Sequence, residues 1–467
     1  MTPTPTRGHV SVMRVGAPAL LVIGAGSLVV YGGLRILALV LGVGLAGWAM
    51  VSFGDAVLHI RRFIPNALCL SFAVALFASD ATFRTRSVDA GGLDAEVLAK
   101  IALLALPMVV VAMTAIRSEP PAIPLKWLRL YCAWALVSAP ASLLFSQSVA
   151  TALVHLSVIF AAAVVVATVG RDQFFRVTGG TLLIFITGAM LWQLSGRTNR
   201  AFAARQLLYK GIEPLMGYTV HPNSLGQIAA LCTIAGVALL RLEGVDRRLG
   251  KLCIMNGLFA LAWSQSRSSM LGLMAALVFL GMNSKRLRVP LAAAGTGAAI
   301  AVLLYLPDLT SQTASRFTRS GSSAEITTLT GRTQIWSIAW RLARQHLFTG
   351  YGFSASRIPL VQATQFTNFT ATHPHNLYLH VLLDCGVVGL LIFVGVLLAY
   401  VRAARQHTDG VRDAIVVFVV VTGLTETVIG SILPTIPFFM LAGALALARA
   451  PSSQPDEPVT DGRRLIR

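Results

Sequence analysis

His373-Pro374-His375-Asn376-Leu377-Tyr378-Leu379-His380 stands where a long Arg-rich segment gives way to an apolar run reaching to about residue 400. The run is long enough to cross a bilayer, which takes roughly 20 apolar residues. The junction concentrates a scarce residue. The chain has 9 histidines in 467 residues, and three of them fall in these eight positions. An imidazole titrates near neutral pH and is the usual side chain for moving a proton at a reaction site. A cluster of imidazoles at a membrane boundary, beside many guanidiniums, points to chemistry on an anionic, lipid-linked substrate.

Outward from this junction the chain stays apolar. Hydrophobic residues make up 55% and charged residues 12%, with a mean hydropathy of +0.72. Soluble domains carry about 25% charged residues. The expected fold is therefore all-α, a polytopic transmembrane helical bundle of about 12–14 spans. Candidate spans lie near 15–33, 35–53, 64–79, 98–116, 128–145, 149–169, 175–194, 222–241, 250–265, 268–283, 288–306, 375–400, 414–431 and 433–449. The first run reads as a retained helix rather than a cleaved signal. The expected organisation is transmembrane helices with short loops over 1–306 and a large loop over 307–373. Further transmembrane helices follow over 374–449, then a disordered polar tail over 450–467. Cys69, Cys132, Cys232, Cys253 and Cys385 all lie in apolar segments, with neither metal spacing nor a disulfide framework. No metal and no cofactor are expected.

Basic clusters at Arg61-Arg62, Arg117 to Arg129, Arg171 to Arg176, Arg241 to Lys251, Lys285 to Arg288 and Arg402 to Arg412 all count to one side of the membrane. That side is the cytoplasmic one by the excess of positive charge in short inner loops, and both termini share it. The net charge of +19 partly follows from this pattern, so no nucleic acid partner is implied. The opposite side then holds three segments. They are 195–221 with Arg197, Arg200, Arg205 and Lys210, the turn Ser264 to Ser269, and the loop 307–373. That loop carries Arg316, Arg319, Arg332, Arg341, Arg344 and Arg357 against only Asp308 and Glu325. It forms either a solvated, headgroup-contacting surface or a basic cavity for a diphosphate. Guanidiniums suit the second role because they stay charged and bind phosphate oxygens in pairs. From Gln334 to Phe348 apolar residues recur at helical spacing, predicting an amphipathic helix with Trp336 and Trp340 at the membrane surface. Gly350-Tyr351-Gly352 would end it.

A set of motifs in one order adds a resemblance. His375-Asn376 is followed, after nine intervening residues, by Gly386-Val387-Val388-Gly389. Upstream stand Gly331-Arg332 with Trp336, the turn Ser266-Arg267-Ser268-Ser269, and His221-Pro222-Asn223-Ser224-Leu225-Gly226. Over about residues 190–400 this order resembles the superfamily of O-antigen ligases and O-antigen (exopolysaccharide) polymerases. One departure is visible. That family often carries Arg three positions before the glycine that is Gly217 here, and this chain has Pro214. Arg205 or Lys210 would then supply the charge.

The resemblance implies a membrane glycosyltransferase of the GT-C type, independent of metal and inverting at the anomeric carbon. The implied donor is a glycan on undecaprenyl diphosphate at the periplasmic face of the bacterial inner membrane. The implied acceptor is a lipid A-core hydroxyl in a ligase or a second lipid-linked glycan in a polymerase. The missing Arg and the large number of spans lean towards the polymerase. His375 would be the general base, with Arg267, Arg332, Arg205 and Lys210 on the diphosphate and His373, Asn376 and Asn223 in support. Each has a plainer reading beside it. His375 would bond backbone at a helix start, Arg267 would snorkel to headgroups, Asn223 would cap the next helix, and His380 would be structural. Asp384 and Glu426 fall within spans and are expected as structural polar contacts, Asp384 lying on the helix face away from His375. A proton-relay role for them would instead point to a flippase or another transporter. Charges gathered on one face and a large outer loop favour the enzyme. A peptidoglycan polymerase would need an acidic motif in the loop, and neither Asp308 nor Glu325 stands in one.

Overall fold

The computed structural model describes residues 64–83, 95–114, 122–196, 213–242, 244–282, 332–365, 370–406, 409–429 and 431–448. The expected spans near 15–33, 35–53 and 288–306, the stretch 307–331, Arg205, Lys210 and both chain ends lie outside the described residues. Among the described residues there is no strand. The helices are α1 (Ala67–Asp80), α2 (Ala95–Thr114), α3 (Ile123–Ser138), α4 (Phe145–Leu194), α5 (Pro222–Leu239), α6 (Val245–Ser264), α7 (Arg267–Met282), α8 (Arg332–Ala343), α9 (Arg357–Thr364), α10 (Leu377–Gln406), α11 (Gly410–Thr422) and α12 (Ile436–Ala446). The chain is an all-α, multi-pass membrane protein. Four of the helices (α2, α4, α5 and α10) are long and apolar enough to cross a bilayer.

Every expected span among the described residues is met by a helix, with three adjustments. The spans near 149–169 and 175–194 are one element, α4, bent at Gly170 where φ is +75°. The span near 128–145 stops at Ser138, followed by a single 3₁₀ turn over Ala139–Ala141 that holds Pro140. Proline cannot donate to the preceding turn, which accounts for the early stop. The span near 414–431 stops at Thr422, and residues 423–429 and 431–435 form turns, bends and irregular backbone. That last difference turns out to position the candidate site.

Burial separates inner helices from outer ones. The apolar window of α5 is 89% buried, against 22% for α2, so α5 is the central post and α2 faces lipid. Helix α6 lies along α5 at a crossing of glycines, where a Cβ on Gly236 would come within 2.7 Å of the Gly250 carbonyl. Helices α1 and α12 close around the middle of α4 through Phe72, Phe174 and Phe439. Outside, Leu271, Met274, Val278 and Met282 on α7 and Leu391, Val394, Leu398 and Val401 on α10 are exposed at helical spacing. Apolar stripes of that length belong against hydrocarbon.

Helix α8 is amphipathic as expected, burying Ile335, Ile338, Ala339 and Ala343. Its two tryptophans differ, however. Trp340 is exposed, whereas Trp336 donates Nε1–H to the Pro374 carbonyl at 2.9 Å and so faces protein.

The glycine motif in α10 has a structural meaning. Gly386 takes φ +67° and breaks the helix there. Three carbonyls near the break receive donors from elsewhere. The N–H of Tyr351 bonds Leu383 O at 2.8 Å, that of Gly352 bonds Asp384 O at 3.0 Å, and Trp134 Nε1–H bonds Cys385 O at 2.9 Å. In return the Val387 N–H bonds Leu347 O at 2.7 Å. Thus Gly350-Tyr351-Gly352 is a backbone splice onto α10, with Gly350 and Gly352 at φ +70° and +100°. A Cβ on Gly386 would sit 2.1 Å from the Phe348 carbonyl oxygen. We therefore expect Gly386→Ala to destabilise the protein by about 3 kcal/mol or more. A thermal-shift measurement in detergent checks this; an unchanged transition would mean the splice contributes little.

Candidate active site

Four helix starts converge on one carboxylate. At the start of α10, Asn376 caps the helix by accepting the Leu379 N–H at 2.9 Å and donates to Leu424 O at 3.1 Å. The Leu377 N–H bonds Gly423 O at 2.7 Å. These bonds dock the link after α11 against the start of α10, and they bring Glu426 to His375. The His375 Nδ1 lies 3.4 Å from Glu426 Oε2. At the start of α5, His221 is the cap, its Nδ1 accepting the Asn223 N–H at 3.0 Å. The Asn223 side chain is thereby released from capping and donates to Glu426 Oε1 at 2.6 Å. At the start of α8, Arg332 Nη2 reaches Glu426 Oε1 at 2.5 Å. At the start of α7, Ser268 Oγ donates to the same oxygen at 3.4 Å. The serine turn is pressed close to α5, since a Cβ on Gly226 would lie 2.4 Å from the Ser266 Cβ.

Glu426 is 5% exposed. An isolated carboxylate in such a place is costly, so its ionisation depends on its partners. Burial alone would raise its pKa; the hydrogen bond and charge of His375, then Arg332 and His221, outweigh burial and hold it down to about 2. The helix starts add the positive ends of their dipoles. Glu426 was expected as a structural polar contact inside a span; the helix has ended four residues earlier, and Glu426 stands at the centre of the cluster.

The geometry also assigns the histidine. A ring nitrogen that faces a carboxylate carries the proton, which leaves Nε2 of His375 as the basic lone pair. His375 itself stands in the left-handed region at φ +49°, a conformation that costs a non-glycine residue about 1–2 kcal/mol. The Trp336–Pro374 bond and the docked Asn376 hold it there. Its side chain stays 24% exposed, open on one side. The ring of His373 meets it edge-on, with centroids 4.1 Å apart.

Of the residues read from the sequence, His375, Arg332 and Asn223 share Glu426, Asn376 docks the link that carries it, and His373 packs against His375. Arg267 opens α7 beside Ser268, its side chain exposed. Arg205 and Lys210 lie outside the described residues. Near the departure at Pro214, Gln193 donates to Pro214 O at 3.1 Å and accepts from the Met216 and Gly217 N–H groups. Asp384 is a structural contact as expected: it accepts from the N–H groups of Ser354 at 2.9 Å and Ser356 at 3.3 Å, and lies 3.4 Å from His380 Nε2. Ser268 and Glu426 were missed as site residues. The signals were the turn Ser266-Arg267-Ser268-Ser269 for the first and, for the second, an acid between two threonines, Thr425-Glu426-Thr427, in an otherwise apolar segment.

A family profile described as O-antigen ligase matches residues 252–394. An O-antigen ligase of Pseudomonas aeruginosa (strain PAO1) is 30% identical over 148 residues, covering 31% of this chain and 31% of that protein. The match thus spans about a third of the relative's length. The family segment contains Arg267, Arg332, His373, His375 and Asn376, while Asn223 and Glu426 flank it on either side. The segment that supplies three of the four helix starts, about a third of the chain, is thus similar to the O-antigen ligase family.

Proposed function

We propose that the protein is a glycosyltransferase of the inner membrane, acting at its periplasmic face, which moves a glycan from undecaprenyl diphosphate onto an acceptor hydroxyl. The observation that carries this reading is the Glu426–His375 pair at 3.4 Å, surrounded by Arg332, Asn223 and Ser268. Nε2 of His375 takes the proton as the acceptor oxygen attacks the anomeric carbon. The bond from that carbon to the diphosphate breaks with its electron pair on the departing oxygen. Attack and departure on opposite faces invert the carbon. Glu426 orients the ring and offsets the charge of the imidazolium that forms. Arg267, on the exposed rim at the start of α7, meets the developing diphosphate charge. Arg332 is shared between Glu426 and the same region. In this reading guanidiniums carry the role that a divalent cation has elsewhere. The acceptor is a lipid A-core hydroxyl or a second lipid-linked glycan, and the name of the Pseudomonas relative supports the former.

The test is glycan analysis of a strain lacking the gene, complemented with variants. Lipid A-linked glycan, free polymer and undecaprenyl-linked repeats are separated. Long lipid-linked polymer with bare lipid A core means ligase; single lipid-linked repeats without polymer mean polymerase. His375→Ala is expected to lower transfer by ~10²-fold or more with normal membrane insertion. Transfer at the wild-type rate would remove His375 as the base.

Three further variants divide the roles. Glu426→Gln keeps the shape but loses the charge and puts an N–H donor where an acceptor oxygen stood, and is expected to reduce transfer by ~10²-fold, with Glu426→Asp partly active. Arg267→Ala is expected to be nearly as severe as loss of the base. A Glu426→Gln protein of full activity would reduce Glu426 to a structural tie.

A further inference from the structure

The segment that carries Glu426 is fixed at its far end by the last residue of α1. Its near end is tied at Gly423, whose carbonyl accepts the Leu377 N–H. Beyond Glu426, the Val428 carbonyl accepts the Thr435 hydroxyl at 3.1 Å. Thr435 stands at the N-cap of α12, where a threonine ordinarily bonds the first turn, yet its side chain makes no capping bond. The first turn is served by another helix instead. Asp80 Oδ2 accepts the Ile436 N–H at 2.6 Å, across 356 positions of sequence. A carboxylate at this end of a helix also meets the positive end of its dipole.

The same corner of the chain holds the other flank of Glu426. The Thr82 N–H bonds the Tyr218 carbonyl at 2.7 Å. From Tyr218 the chain runs through Thr219, whose hydroxyl donates to the His221 carbonyl at 3.1 Å, into α5 and the Asn223 that binds Glu426. The corner is in turn fastened to lipid-facing α2. There Lys100 donates to Thr82 Oγ1 at 3.0 Å, pairs with Glu96 at 3.2 Å and offsets the charge of Asp80. Ionisable groups on membrane helices are costly and are kept where they have a task. The proposed reaction uses none of these three.

We propose that Asp80 is a positioning residue: by holding the start of α12 it fixes the segment that carries Glu426, and through Glu426 the orientation of His375. This inference rests on the functional reading above. Glu426 lies outside regular helix, so its place depends on how the two ends of its segment are tied. The near end is tied to α10 and the far end to Asp80. A carboxylate that slips by about 1 Å no longer serves both His375 and Arg332, and misplacement on that scale costs a reaction up to about 10²-fold.

The experiment uses the full-length protein in lipid nanodiscs, with undecaprenyl-linked glycan and bare lipid A core extracted from the deletion strain as substrates. Asp80→Ala and Asp80→Asn are made in the wild-type chain, and Asp80→Ala also in the Glu426→Gln chain; kcat and KM are measured for each. Asp80→Ala is expected to lower kcat about tenfold with KM within about twofold. Asp80→Asn keeps an acceptor oxygen for the Ile436 N–H and recovers most of the rate. Once Glu426 is replaced, Asp80→Ala costs less than about twofold further, because both changes act through one group. Thr435→Val removes only the hydroxyl bond to Val428; it gives the same pattern at smaller size and carries the cycle if the Asp80→Ala chain does not insert. An equal loss in both backgrounds, or full kcat with only a lower thermal transition, makes Asp80 a structural tie and overturns the proposal. A wild type that transfers nothing, or a His375→Ala protein that transfers normally, removes the functional reading and the positioning role with it.

Discussion

A buried carboxylate without cations would not stay charged, and the site depends on that fact. Glu426 is held ionised by Arg332, by His375 and by polar groups from four helix starts. Remove the anion, and Arg332 at 17% side-chain exposure, the Asn223 amide and the Ser268 hydroxyl lose a common partner. The ends of α5, α7, α8 and α10 then have little reason to meet. Van der Waals packing holds the membrane helices together, but by itself it gives them little direction. The convergence on Glu426 supplies direction at the one end where chemistry is read.

Glycines play the complementary part. They let backbone approach backbone where the site's supports are built, at Gly386 against Phe348 and at Gly226 against Ser266. The first joins the segment before α9 to α10 a few residues beyond the histidine cluster. The second sets the serine turn against the start of α5. Neither is a phosphate loop. The glycines are required for space and for positive φ, and the charged groups carry the ligand chemistry.

Much of this was legible in the sequence. The apolar runs gave the helices, because a membrane helix must close its own hydrogen bonds and therefore announces itself by length. The scarcity of histidine pointed to His375, and the order of short motifs gathered Arg332 and Asn223. What stayed hidden is the pairing at long range. Glu426 sits in a β-branched, apolar stretch that reads as one more span, yet the helix stops at Thr422 because the following backbone bonds to the start of α10. Nothing local encodes that contact. Trp336 was read as a membrane anchor for the same reason: its partner, the Pro374 carbonyl, lies 38 residues away.

The Asn223–Glu426 bond joins residues 203 positions apart. During synthesis the start of α5 enters the membrane long before its partner is made. Until the last two helices are in place, Asn223, Ser268 and Arg332 present unneutralised polar groups at the bundle's edge. The site is therefore the last part of the molecule to mature. A chain cut short after α10 would hold most of its helices yet display a signal that membrane quality control is able to read.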